Sequence, residues 1–215
     1  MKKFKDLTKK QVCKVCFKEF CTSSFQILLG NSDICDECYD SFPKIFETEY
    51  VDGVKVNSIY EYKSPLDSLI YQYKELLDIE LCNVFLSRIK FYLKCKFYNY
   101  NLVLLPSSEN AIKKRGFNHL YEIFKNLDLP IIENLLYKSN DSTQKELNYL
   151  SRMTHRGFIN MNNNIDIKNK NILLVDDVFS TGATLKEAIK LVKNREPCRI
   201  KALILCRNKN MSKFV

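Results

Sequence analysis

Apolar residues along this chain fall into short blocks whose spacing changes character from one block to the next. Leu102 to Leu105 is a continuous apolar run stopped by Pro106, as expected of a strand buried on both faces in a parallel sheet. Ile172-Leu173-Leu174-Val175 repeats that pattern, Pro130-Ile131-Ile132 begins a further short strand, and Ile200 to Cys206 closes with a β-rich run. Between these runs the period switches to three and four. Leu66, Leu69, Ile70 and Tyr73 predict a helix with Ser64 as N-cap and Pro65 at its first position. Leu81, Phe85, Leu86, Ile89 and Leu93 predict a second amphipathic helix, and Leu120 to Leu127 and Leu185 to Val192 predict two more. Tyr39 to Gly53 shows little periodicity and reads as a connector, with room for a short hairpin around Asp52-Gly53. The Asn-rich stretch Asn160 to Asn164 reads as an exposed loop. Strands alternating with helices in this order predict an α/β domain with a mainly parallel sheet flanked by helices.

Length and charge narrow the picture. The 215 residues allow one domain, or a domain with a small appendage. No run approaches the ~18 apolar residues of a membrane-spanning helix. The basic start Met1-Lys2-Lys3 leads into no apolar core of a secretory signal. A soluble, cytoplasmic protein is expected. The 34 Lys and Arg exceed the 25 Asp and Glu by nine, which favours acidic partners such as nucleic acid, nucleotides or phosphates. A solvated lysine-rich face accounts for the same surplus. The stretch Phe91 to Tyr98 interleaves aromatics with Lys94 and Lys96, a composition that suits single strands and also a half-buried helix.

Nine cysteines in a chain without an export signal do not read as disulfides. Four of them form Cys13-x2-Cys16 and Cys35-x2-Cys38, with eighteen residues between the pairs, which is the spacing of a structural zinc site. Two such knuckles close a tetrahedron around one ion and leave no open position for chemistry. The expected organisation is a zinc-ribbon-like module over residues 1–50, an α/β domain over 55–207 and a short tail over 208–215.

The sharpest chemical signal follows the third apolar run. Asp176 and Asp177 end the strand, Ser180, Thr181, Gly182, Ala183 and Thr184 form a loop, and a helix begins. Ligands bind outside the C-terminal ends of strands in open α/β sheets. Backbone N–H groups at the helix start, with the loop hydroxyls, make an anion cradle, and Gly182 admits close approach of a phosphate. The two carboxylates suit hydroxyl groups or a metal ion beside that phosphate, so a sugar phosphate meets both demands. None of the five glycines builds a G-x-x-x-x-G-K-[ST] or G-x-G-x-x-G loop, which sets aside an NTPase or dinucleotide reading.

Val175 to Thr184 resembles the ribose-5-phosphate loop of class I phosphoribosyltransferases. From Cys13 to about Arg207 the chain resembles the ComF family of competence proteins, ComFC type. The likeness rests on the four cysteines, Tyr60-Glu61-Tyr62 before a helix carrying Lys74, Lys113-Lys114-Arg115-Gly116-Phe117-Asn118, and Gln144-x-x-Leu147 followed by Arg152. Leu105-Pro106-Ser107-Ser108 stands where the family usually has Pro-Val-Pro, and Arg152-Met153-Thr154-His155 departs from its Arg-Leu-x-Asn element. The resemblance implies a protein that binds phosphoribosyl pyrophosphate (PRPP), or a related ribose 5-phosphate, with Mg²⁺. It also implies one that handles single-stranded DNA during DNA uptake beside a helicase of the competence machinery. Asp176 and Asp177 would hold the ribose hydroxyls, and Ser180 to Thr184 the 5′-phosphate. Ser107 and Ser108 would meet pyrophosphate, and Arg115 with Lys113 and Lys114 would neutralise it. Arg152 and Arg156 would close over the site. His119, on a helix, reads as structural. An active phosphoribosyltransferase of nucleotide salvage or synthesis, and a non-catalytic binding adaptor, are the alternatives.

Overall fold

The computed structural model describes residues 9–23, 33–138 and 159–209. Strands β1 (Lys9–Val12) and β2 (Glu19–Thr22) pair antiparallel around the first cysteine knuckle, and helix α1 (Asp36–Asp40), with Cys35 at its N-cap, carries Cys38 of the second. The chain then enters β3 (Lys44–Val51) and β4 (Val54–Glu61), joined by a tight turn in which Asp52 and Gly53 both take positive φ (48° and 75°). Helices α2 (Leu66–Glu75) and α3 (Lys90–Lys96) lead to β5 (Asn101–Leu104), and α4 (Glu109–Arg115) and α5 (His119–Phe124) follow it. The small pair β6 (Leu136–Lys138) and β7 (Ile159–Met161) precedes β8 (Asn171–Phe179), α6 (Ala183–Lys193) and β9 (Arg199–Arg207).

Among the described residues the main sheet has the order β3-β4-β9-β8-β5, with β3 antiparallel to β4 and every other neighbouring pair parallel. The α/β class with a mainly parallel sheet is as the apolar runs predict. Residues 172–175 and 202–206 are at most 1% exposed, so β8 and β9 are covered on both faces. That explains why they read as unbroken apolar runs. Buried tyrosines supply polar ties inside the core. Tyr60 Oη donates to the Phe85 carbonyl at 3.0 Å, and Tyr73 Oη to the His119 carbonyl at 2.8 Å.

Five local expectations are corrected. The stretch 39–53 is no featureless connector: most of it is β3, the edge of the main sheet. Leu81 to Leu93 is not one helix but a 3₁₀ turn (Ile79–Asn83), further turns and then α3. Val84, Phe85 and Leu86 are all buried, and three consecutive buried residues do not fit a single helix stripe. Pro130 to Ile132 makes only an isolated bridge to Leu102, because Pro130 has no N–H to extend a ladder. Asn160 lies in β7 rather than in a loop, and α2 starts at Leu66, one residue later than expected.

The cysteine module is fastened to the sheet domain. Arg88 donates to the Ile34 carbonyl at 3.0 Å and pairs with Asp36 at 2.6 Å, while Lys14 pairs with Glu80 at 2.7 Å. Ile34 is fully buried, and the Phe42 ring meets Tyr60 edge-on with centroids 5.6 Å apart.

Candidate functional site

Because β4, β9, β8 and β5 run parallel, their C-terminal ends open on one edge of the sheet. That edge gathers Ser107 and Ser108 after β5 and the segment Asp176 to Thr184 at the end of β8. The ladder of β8 with β9 continues past both aspartates to Phe179 and Arg207. Adjacent residues of a strand point to opposite faces, so the two carboxylates have different surroundings.

Asp177 points inward. It is 5% exposed, its Oδ2 is in close ion-pair contact with the Lys74 ammonium, and His119 Nε2 approaches the same oxygen at 3.1 Å. Burial alone would raise its pKa, but His119 and Lys74 hold the carboxyl well below the ordinary range. Asp176 is half-buried, and its Oδ1 accepts the Asp177 N–H at 2.9 Å. Burial first and the Asp177 charge second push its carboxyl up to about 8. Of the pair, Asp176 is the one outside the internal ion cluster.

The loop after β8 has the form of a cradle. Gly182 caps α6 with φ 71°, a left-handed conformation that favours glycine, and a Cβ there would lie 2.8 Å from the Phe179 ring. Thr181 and Ala183 are exposed, while Ser180 and Thr184 are half-buried. Ser107 Oγ lies 3.5 Å from His119 Nδ1, whereas Ser108 Oγ is engaged as the N-cap of α4, accepting the Ala111 N–H at 3.2 Å. The basic run divides in the same manner. Arg115 turns inward, with Nη1 3.0 Å from His119 Nδ1 and Nε donating to the Lys74 carbonyl at 3.2 Å. Lys113 and Lys114 stay exposed beside Glu109 and Glu75. Gln144, Leu147, Arg152 and Arg156 lie outside the described residues. A cleft of about 400 Å³ opens beside Ser107, bordered by Asn118, Tyr121, Glu133 and Tyr137.

Lys74 and His119 are the members whose place in the site the residue pattern did not reveal. Lys74 falls four residues after Ile70, on the same helical stripe as Leu66, Ile70 and Tyr73. A lysine on an apolar stripe is a signal of a buried counter-charge. His119 stands four residues after Arg115, but a Gly-Phe-Asn break separates α4 from α5 and hides the relation.

At the other end of the protein, the Sγ atoms of Cys13, Cys16, Cys35 and Cys38 all lie within 4.8 Å of one another, with Cys16 and Cys35 3.8 Å apart. Four sulfurs around a tetrahedral zinc at 2.3 Å would be separated by about 3.8 Å, so the donor set fits a closed metal site. The N–H groups of Val15 and Cys35 each donate to Cys13 Sγ at 3.4 Å. Against the effect of burial, such backbone bonds lower this thiol to about 7, which favours the thiolate a metal needs. Burial pushes Cys38 up, as does the crowding of its neighbours, so four thiolates need a cation to coexist.

The family described as "Phosphoribosyl transferase domain" matches residues 111–214. The chain is 26% identical to the competence protein ComFC of Streptococcus pneumoniae, the match covering 91% of this chain and 98% of that protein. It is 25% identical to ComFC of Bacillus subtilis over 81% of this chain and 72% of that one. A hypoxanthine phosphoribosyltransferase from Staphylococcus aureus superposes with a TM-score of 0.42 at 16% identity, covering 62% of this chain and 66%, just under two thirds, of that one. The chain is thus similar to the ComFC competence proteins over most of its length, and its residues 111–214 match a phosphoribosyl transferase domain.

The two aspartates should respond oppositely to neutralisation. An unfolded aspartate ionises near pH ~4. Between there and about 8 the unfolded chain releases a proton that folded Asp176 retains, so stability falls as pH rises through that window and levels off above it. Asp176→Asn should therefore raise the melting temperature by an amount that grows from pH 5 to pH 8, and a gain independent of pH would contradict the assignment. Asp177→Asn strands the Lys74 ammonium and should lower it by roughly 5 °C at neutral pH.

Proposed function

We propose that this relative of the ComFC proteins binds PRPP with Mg²⁺ at the C-terminal edge of its parallel sheet, handles single-stranded DNA, and holds one structural Zn²⁺ on its four N-terminal cysteines. The observation that carries the reading is the division of the aspartate pair beside the phosphate-sized loop. Asp176, left out of the internal ion cluster, can accept hydrogen bonds from the ribose 2′- and 3′-hydroxyls. The N–H groups from Ser180 to Thr184, at the start of the eleven-residue helix α6, can take the 5′-phosphate, and Gly182, at φ 71° and packed against the Phe179 ring, lets the loop make its turn. Ser107 and Arg115 would meet the pyrophosphate of the same ligand, with Arg152 and Arg156, outside the described residues, as further cations for it. Mg²⁺ would supply charge neutralisation on that pyrophosphate. Asp177 serves indirectly, by keeping Lys74 and His119 in place. The cleft beside Ser107 is the space an acceptor would need, and it supports the alternative of an active transferase.

For the nucleic acid, the support is a surface strip. On and after α3, Phe91, Tyr92 and Tyr98 are 55%, 53% and 75% exposed, while Phe97 is buried. Lys96 lies 5.4 Å from the Tyr92 ring and donates to Asn57 Oδ1, and Lys94 is partly engaged by Asp128 at 3.2 Å. Exposed rings among lysines offer stacking surfaces and backbone neutralisation together. A cytoplasmic setting and a helicase partner are part of the same proposal, supported by the resemblance to the competence proteins.

Three measurements test these assignments. Calorimetry should show PRPP binding that strengthens with Mg²⁺ and is lost in Asp176→Ala and in Gly182→Val, with the fold retained by circular dichroism; unaltered affinity in Asp176→Ala would refute the ribose assignment. Metal analysis of the purified chain should give about one zinc per protein. Recovery of metal-free protein with Cys13, Cys16, Cys35 and Cys38 in disulfides would exclude that site. Fluorescence anisotropy with labelled oligo-dT should show affinity that falls steeply with salt and drops about fivefold or more in Tyr92→Ala. Salt-independent binding, or none at low salt, would contradict the surface assignment.

A further inference from the structure

We infer that His119 is a positioning residue for the proposed ligand site: it holds Arg115 and Ser107 with one ring nitrogen and faces Asp177 with the other, fixing the pyrophosphate end of the site without cancelling its charge. The inference rests on the ribose-phosphate reading given above.

The hydrogen on the ring is placed by elementary chemistry. A guanidinium has donors and no lone pair, so at 3.0 Å from Arg115 Nη1 the His119 Nδ1 must accept. The ring hydrogen is then on Nε2, 3.1 Å from Asp177 Oδ2. Every group that faces the ring agrees with a neutral imidazole in that tautomer. Lys74 from α2 and Arg115 from α4 are cations, Ser107 after β5 can donate its hydroxyl, and Asp177 from β8 is already in contact with Lys74. A protonated ring would set a third cation among them. His119 is 5% exposed, and its backbone is tied as well, since its carbonyl accepts the Tyr73 hydroxyl at 2.8 Å.

The use of a neutral acceptor is the informative feature. Arg115 is held at two points, by His119 Nδ1 and by the Lys74 carbonyl, and both partners are uncharged. Among the described residues no carboxylate lies within ion-pair distance of Arg115. A carboxylate at position 119 would orient the guanidinium equally well and would neutralise it. The imidazole orients it and leaves the full charge for an incoming anion. An anionic oxygen of a ligand would take the same donors, Arg115 Nη1 and Ser107 Oγ, that the Nδ1 lone pair gathers in the free protein. Through Nε2 the same ring abuts Asp177, so the pyrophosphate and ribose sides of the site share one rigid element.

The test has two arms on the full chain. With ¹⁵N-labelled histidine the chain gives signals from only two rings, His119 and His155, assigned with His119→Gln. At neutral pH the His119 ring should carry its hydrogen on Nε2, and the Nδ1 resonance should shift in Arg115→Ala. A ring protonated on Nδ1, or a cationic ring, would overturn the inference whatever the ligand proves to be. In the second arm, calorimetry with PRPP and Mg²⁺ compares His119→Gln, whose amide can still accept from Arg115 and donate to Asp177, with His119→Leu, which can do neither. The glutamine variant should bind within about threefold of the native chain and the leucine variant at least about tenfold more weakly, at similar melting temperatures. A packing role alone predicts the reverse order. Native affinity in His119→Leu, in a chain whose Arg115→Ala variant binds weakly, would overturn the positioning role alone. Absence of PRPP binding by the native chain would overturn the ligand reading and this use of His119 with it.

Discussion

A buried carboxylate must find its counter-charges inside the protein, and the Asp177 carboxylate organises this structure. An ionised group in a covered sheet is costly unless cations and donors reach it. Here α2 delivers Lys74 and α5 delivers His119 to one oxygen of a residue on β8. Three elements far apart in the chain are thereby fixed relative to the sheet edge. Arg115 and Ser107 are fixed in turn through the other nitrogen of His119. Asp176, one residue earlier, lies outside that ion cluster, and burial with the neighbouring Asp177 charge raises its pKa.

The strands were legible because burial on both faces leaves a plain mark. Residues 172–175 and 200–206 read as apolar runs and form β8 and β9, and the cysteine spacing alone anticipated the cluster of four sulfurs. What was not legible depended on partners distant in sequence. Ending the strand at the aspartates made the two carboxylates look equivalent; the ladder to Phe179 makes them opposite. The role of Lys74 was hidden in a helix whose stripe otherwise reads as ordinary core. The segment 81–93 misled because its apolar residues are buried on several sides, a pattern that a helical period fits by chance. The hairpin turn at Asp52-Gly53 was legible, but the length of β3 was not, because Ile45, Phe46, Tyr50 and Val51 follow no strict two-residue alternation.

The two parts of the chain divide their work by chemistry. Four cysteine sulfurs with fixed backbone donors form a cluster able to hold a metal ion with no open position left for chemistry. Arg88 and Lys14 lock that centre against the turns that precede α3. The sheet edge has the opposite character, with an arginine held by neutral partners, loop hydroxyls and the half-buried Asp176. Similarity to the ComFC proteins spans both parts, whereas the phosphoribosyl transferase match begins only at residue 111. The Tyr60 to Lys74 stretch, which supplies the counter-charge to Asp177, lies before that match. The ion cluster thus joins residues inside the matched segment with Lys74 before it.

The most direct test of the account is a crystal structure of the full chain with PRPP and Mg²⁺. The account predicts the 5′-phosphate on the backbone of residues 180–184 and the ribose hydroxyls on Asp176. It also predicts the pyrophosphate at Ser107 and Arg115, with Asp177 still paired to Lys74. Density for the ligand at another place, or Asp177 rather than Asp176 on the ribose, would contradict it.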